Sequence, residues 1–244
     1  AKELLDALRS RGKHVLFVSN TSSRSRLQCI EQFTRADIQI ADEELFLASE
    51  ETSQYIARLK PKARAYVLGA KGLYAELEKE GIEILPSENV DPQAVDFVVV
   101  GRDRTLTYDK LTAAFQAITH GAKFVAVNND PTVPGRNGLE PGAGAIVAAL
   151  SAMLGRGPDI NMGKPATLLL EMAAQHRSLK PHECAMVGDT IDVDIVAGNR
   201  AGMTTILVLS GNASREDLNS QAAQGDGRPD IVVTSVRDLL DMIA

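Results

Sequence analysis

The chain has 244 residues, 44% of them apolar and 4% aromatic, no tryptophan, and a formal net charge of −6. That length can bury a large core, as one big α/β domain or two smaller ones. The acidic balance excludes a general nucleic-acid binder, which needs a basic face, and leaves any anionic substrate to be captured by local donors.

In chain order, residues 2–11 read as an amphipathic helix, with Leu4, Leu5 and Leu8 on one face and Gly12 ending it. His14-Val15-Leu16-Phe17-Val18 is a short apolar run that predicts a strand buried on both faces. It exits into Ser19-Asn20-Thr21-Ser22-Ser23-Arg24, with Ser22 or Ser23 as helix caps, and a helix follows to about Ala36. A short apolar piece at 45–47 precedes a helix over 49–59, and Pro61 breaks the pattern. A new series then begins: strand 65–68, helix 71–80, strand 96–100, helix 109–120, strand 123–127. A turn-rich loop from Asn128 to Pro141 precedes an Ala-rich helix ending near Leu154, and Gly155-Arg156-Gly157-Pro158 reads as a hinge. The first series resumes with helix 166–177, strand 184–188, helix 192–201, strand 204–209, helix 214–222, strand 230–233 and helix 235–243. Alternating strands and helices predict an α/β fold with parallel sheets covered by helices. The expected division is a Rossmann-like core of 1–62 with 156–244, interrupted by a smaller α/β insert at 63–155.

Cys29 and Cys184 are far apart and read as small buried hydrophobes, not as ligands or a disulfide. His14, His120, His176 and His182 show no metal spacing. No apolar stretch is long enough to span a bilayer and no signal peptide opens the chain, so a cytoplasmic protein without a membrane partner is expected.

Three signals carry chemistry. The apolar strand ending in Gly188-Asp189 delivers a carboxylate to the crevice beyond the carboxyl ends of the strands, where such sheets bind ligands. A hard cation such as Mg2+ takes few protein oxygens, with water and phosphate completing its shell, and Asp194 is near enough to reinforce Asp189. Ser19-Asn20-Thr21, between a buried strand and a helix, supplies hydroxyl, amide and backbone donors suited to phosphate. Lys164, between Gly163 and Pro165, is a positioned ammonium that can neutralise a phosphoryl group and a carboxylate. Asn161-Met162-Gly163-Lys164-Pro165 is no P-loop, because Pro158 stands where the earlier glycine is required.

Taken in order, Ser19-Asn20, Gly163-Lys164-Pro165 and Gly188-Asp189…Asp194 resemble motifs II, III and IV of the haloacid dehalogenase-like phosphatases. The insert resembles the C2-type cap of the NagD and p-nitrophenyl phosphatase-like subgroup. The resemblance implies a Mg2+-dependent phosphatase acting on a small phosphorylated metabolite, and cap-to-cap homodimers; the acidic charge implies no nucleic-acid partner. It implies that Ser19 and Asn20, aided by Thr21, hold the phosphoryl group, that Lys164 is catalytic, and that Asp189 and Asp194 bind the metal. Asn128-Asn129-Asp130 resembles the cap's substrate-facing segment, which makes Asn129 and Asp130 substrate contacts, with Arg136 a weaker candidate.

The family's reaction also needs an Asp-x-Asp strand upstream of motif II, and none is present before Ser19. Asp6 sits mid-helix and Asp103 lies in the insert. The expectation is that the natural protein begins about twenty residues earlier, one strand plus loops, and forms its aspartyl-phosphate there. The alternative is an inactive member that keeps phosphate and partner binding.

Overall fold

The computed structural model describes residues 1–242. The chain divides into two compact units, one built from Ala1–Val18, Ile30–Phe46 and Lys164–Ala244, the other from Ser19–Cys29 and Leu47–Gly163.

The first residues form α1 (Lys2–Ser10), which buries Leu4 and Leu5, then the short strand β1 (Phe17–Ser19) and α2 (Arg26–Arg35). The run 14–18 is not a doubly buried strand: His14 is exposed, Phe17 and Val18 are half-buried, and the strand starts only at Phe17. Its partner is β2 (Leu45–Leu47). The cap of α2 is Ser25, not Ser22 or Ser23: Ser25 Oγ accepts from Gln28 N and Gln28 Oε1 accepts from Ser25 N. This reciprocal pair satisfies two donors at the helix start.

The second unit continues with α3 (Ala48–Leu59), β3 (Arg64–Leu68), α4 (Lys71–Lys79), β4 (Glu83–Ile84), β5 (Phe97–Val100), α5 (Tyr108–Thr119) and β6 (Lys123–Ala126). A hairpin of β7 (Thr132–Gly135) and β8 (Gly138–Pro141) follows, then α6 (Ala143–Leu154) and β9 (Ile160–Asn161). Strands β4-β3-β5-β6-β9 lie in that order, all parallel, with Ala65 opposite Phe97 and Phe97 opposite Lys123. The β5 run Phe97-Val98-Val99-Val100 is buried at every position, as a strand covered on both faces must be. Tyr66, Leu68, Val98, Val100 and Phe124 pack with Ala114, Ala117 and Ile118 of α5 and Ile146, Val147 and Leu150 of α6. Each large apolar side chain so buried contributes about 1.5–3 kcal/mol.

The first unit resumes with α7 (Leu168–His176), β10 (Ala185–Gly188), a π-helical turn over Ile191–Ile195, α8 (Val196–Ala201), β11 (Thr204–Val208), β12 (Ile231–Val233) and α9 (Asp238–Met242). β10-β11-β12 form a parallel sheet, with Met186 opposite Thr205 and Ile206 opposite Ile231. Met186, Leu170, Ala174, Ala197 and Met203 form one core cluster, with Val18 and the half-buried Cys184 against it. Cys29 is buried, and both thiols are free.

No helix forms over 214–222. Ser214 N and Oγ both donate to Asp217 Oδ2, and Ser220 Oγ donates to Asp217 O, so the segment folds into short 3-10 turns. Side chains that bond the nearby backbone compete with helix in this way. The last helix starts at Asp238, whose Oδ2 accepts from Thr234 N and Ser235 N; residue 243 of the expected helix lies outside the described residues.

Candidate active site

In the first unit, β10 carries the chain to Gly188 and then to Asp189. The backbone tightens there: Asp194 N, Val193 N and Ile195 N all donate to Thr190 O. The resulting π-turn throws Asp194 back under the strand tip, where its Oδ2 accepts from Asp189 N and Thr190 N at 3.1 Å each. Such bulges recur at functional sites. Gly188 is required by this arrangement, because a Cβ there would run into the Asp194 side chain.

The other Asp194 oxygen, Oδ1, accepts from Lys164 Nζ at 2.7 Å, and Lys164 Nζ also donates to Val18 O at 3.1 Å. Lys164 is 7% exposed and Asp194 6%. Taking two charges out of water is costly unless each is well bonded, and here the carboxylate has the ammonium and two backbone N–H groups. Lys164 is therefore fixed by a carboxylate thirty residues away, not only by its flanking Gly163 and Pro165.

Asp189 is held differently. Its Oδ1 accepts from Thr190 Oγ1 at 3.1 Å and its Oδ2 from Asn212 N at 3.1 Å, while Asn212 Nδ2 donates to Thr190 Oγ1. Each Asp189 oxygen thus has one of these neutral donors, which leaves a lone pair on each for a cation. Sequence reasoning missed Thr190 and Asn212. Gly211-Asn212, just past the end of β11, was the available signal.

Among the described residues no group of three or more His, Cys, Asp or Glu could hold a metal ion. A Zn2+-like cage is not built. Mg2+ is compatible with the residues present, because it keeps several waters and needs only one or two carboxylates.

In the second unit, Ser19 Oγ accepts from Thr21 N at 3.3 Å, which leaves the Ser19 O–H as a donor. Asn20 Nδ2 donates to Asp130 Oδ1 at 3.0 Å, and Asn20 O accepts from Asn128 Nδ2 at 2.6 Å. Asp130 N in turn donates to Asn128 Oδ1. Asn128 and Asp130 therefore grip Asn20, one through its backbone and one through its side chain. Asn129 Nδ2 donates to Asn161 Oδ1 at 2.7 Å, and Arg136 sits exposed at the hairpin tip. Gly163 passes so close that a Cβ would lie 2.7 Å from Asn20 Oδ1 and 2.9 Å from Val127 O. Ser22 is buried, its Oγ accepting from Arg102 N at 3.2 Å. Asp6 is exposed on α1, and Asp103 is buried in an ion pair with Lys110 at 3.0 Å.

Comparison with known proteins bears on the same residues. Residues 1–83 match a haloacid dehalogenase-like hydrolase model and residues 161–239 a HAD-hydrolase-like model. The 5'-nucleotidase YutF of Bacillus subtilis is 38% identical over 218 residues, covering 89% of this chain and 82% of its own. An acid sugar phosphatase of Staphylococcus aureus is 35% identical over 221 residues, 91% of this chain and 83% of its own. Among solved structures, a p-nitrophenyl phosphatase from Archaeoglobus fulgidus superposes with a TM-score of 0.89 at 36% identity, covering 98% of this chain and 90% of that one. A 4-nitrophenylphosphatase from Thermotoga maritima gives a TM-score of 0.87 at 30% identity, over 99% and 89%. The chain belongs to the haloacid dehalogenase-like hydrolases, in their NagD-like phosphatase branch.

Proposed function

We propose that this protein hydrolyses the phosphomonoester of a small metabolite with Mg2+ as cofactor, and that the residues described above bind phosphate, neutralise its charge and hold the metal. The observation that carries this reading is the buried Lys164–Asp194 pair bonded to the backbone of Asp189. It fixes one positive charge and one solvent-accessible carboxylate at the carboxyl end of a parallel strand, where α/β sheets bind ligands.

Phosphoryl transfer asks mainly for alignment and charge neutralisation. Ser19 O–H and the Asn20 amide hold phosphoryl oxygens, while Thr21 N orients the Ser19 hydroxyl. Lys164 neutralises phosphoryl charge. Asp194 holds that ammonium in place, and stands behind Asp189 as an outer carboxylate. Asp189 is the direct metal ligand, since its two oxygens retain lone pairs. When bound, Mg2+ withdraws charge from the phosphoryl oxygens. No residue of this chain is assigned the nucleophile of the family's aspartyl-phosphate route, because Asp6 is exposed on α1.

Segment 63–155 serves as the cap that closes over the substrate and excludes water. Asn129 and Asp130 belong to its substrate-facing loop, Asp130 acting through Asn20. The relatives' names, a 5'-nucleotidase and an acid sugar phosphatase, support a phosphorylated metabolite as substrate class. No helix of the described residues is long and apolar enough to cross a membrane, in keeping with a cytoplasmic enzyme.

The test is hydrolysis of p-nitrophenyl phosphate by the full-length protein with and without Mg2+. Asp189→Asn should lower turnover by at least about a hundredfold and abolish the Mg2+ dependence. Full activity in this variant would refute the metal assignment, and activity indifferent to chelation would refute the cofactor.

A further inference from the structure

The second unit contains a cavity of about 410 Å³ that none of the residues above explains. Its walls include Arg102, Asp103, Arg104 and Leu106, just past the end of β5, Glu140 in β8, and Ile146 of α6. The volume suits a small organic ligand. Its position suits one as well: Arg102 N donates to Ser22 Oγ, three residues along the chain from Ser19.

Its lining holds two arginines and two carboxylates, Asp103 and Glu140, and of the carboxylates only Glu140 faces the arginines. Glu140 accepts from both Arg102 and Arg104, the second at 3.4 Å. Asp103 is already neutralised by Lys110 at 3.0 Å and saturated by Thr105 N and Oγ1. Two guanidinium groups thus share one carboxylate, an excess of one positive charge on a chain whose net charge is −6. Arg102 Nε is buried without a hydrogen-bond partner among the described residues. Arg104, with its side chain 73% exposed, keeps further donors turned to solvent. A guanidinium fork matches carboxylate and phosphate geometry, and the apolar walls beside it accept a hydrocarbon or aromatic body.

We propose that this cavity receives the leaving group of the phosphoester and selects one that carries a second anionic group, a carboxylate or a further phosphate, on an apolar body. The proposal rests on the phosphatase reading above and adds the substrate class. Arg104 makes the discriminating ion pair. Arg102, held by Glu140, shapes the wall beside it. Glu140 limits the selectivity by consuming part of the positive charge.

The experiment compares kcat/KM of the full-length protein for 4-carboxyphenyl phosphate, its neutral partner 4-carbamoylphenyl phosphate, and 1,4-phenylene diphosphate. An anionic probe should exceed the neutral one by about tenfold, the effect of one charge-assisted hydrogen bond. Whichever anionic probe leads identifies carboxylate or phosphate as the second group. Arg104→Gln should bring the anionic-to-neutral ratio to about one, and Glu140→Gln should raise it above the wild-type value. Equal kcat/KM for all three probes, or a ratio that survives Arg104→Gln, would overturn the proposal. If no probe is hydrolysed, the phosphatase reading fails. The cavity is then judged separately by calorimetry, with 4-carboxybenzylphosphonate against 4-carbamoylbenzylphosphonate; equal affinities would sink it.

Discussion

Asp194→Ala perturbs the residue on which both the lysine and the strand tip depend. The carboxylate is 6% exposed, takes the Lys164 ammonium at 2.7 Å, and accepts from Asp189 N and Thr190 N. Breaking a buried ion pair by deleting one partner costs about 3–5 kcal/mol. Each backbone N–H stripped of its acceptor adds about 1–3 kcal/mol when water cannot reach it. Water entering the emptied space makes these losses overlap, so the net destabilisation is set at about 4 kcal/mol. At a urea slope of about 2 kcal/mol per molar, the midpoint should fall by about 2 M. The chain has no tryptophan, so the melt is followed by far-UV circular dichroism, with hydrogen exchange of the β10 and α8 amides to localise the loss. Lys164→Met should cost less, because the two N–H groups still serve the carboxylate. The double variant should recover about 1–3 kcal/mol relative to the summed single losses, the coupling of contacting residues. A midpoint shift under about 0.5 M, or strictly additive losses, would refute the view that this pair is a single buried unit.

Two further substitutions probe different physics. Gly163→Ala puts a methyl 2.9 Å from the Val127 carbonyl and 2.7 Å from Asn20 Oδ1. Val127 O already accepts from Gly163 N at 2.9 Å and is held close, so about 1–3 kcal/mol of stability should be lost, read as a lowered Tm; an unchanged Tm would refute the close-approach role of this glycine. Glu51 is buried on α3, and burial pushes its carboxyl above the ordinary 4.5, with Arg58 partly opposing the shift. Its contribution to stability is therefore intact below pH 4.5 and is lost as pH rises through the higher folded value. Glu51→Gln should raise Tm near neutrality and give no gain below pH 4.5; a gain independent of pH would show that charge burial is not its source.

Much of this fold was legible because its signals are local. β5, α5 and β6 come from an apolar run, a 3.6-residue period and a second apolar run, and each landed within a residue or two of the expected bounds. The hairpin of β7 and β8 was hidden because Pro134 and Gly135 interrupt its first strand, and these residues argue against a strand when read alone. β9 has two residues and owes its existence to pairing with β6, which no local pattern announces. The overcalled helix at 214–222 failed for the converse reason, since Ser214 and Ser220 found backbone and carboxylate partners within their own turn.

The site divides along the same line. Residue types and order point to Ser19, Lys164, Asp189 and Asp194 as candidates, because each ends or follows a strand or lies in a constrained turn. Their separate duties were not readable, because duty depends on which partner each side chain meets. Asp189 and Asp194 are the same amino acid five positions apart, yet one faces Thr190 Oγ1 and Asn212 N while the other is saturated by an ammonium and two backbone N–H groups. The difference comes from the π-turn between them, which reverses the direction of Asp194, and from Gly188, whose missing side chain leaves that carboxylate room. Gly188 thus does as much as either aspartate to separate an outward oxygen donor from an inward anchor. A glycine read in sequence as the end of a strand is, in three dimensions, what lets one carboxylate hold the lysine while the other faces out.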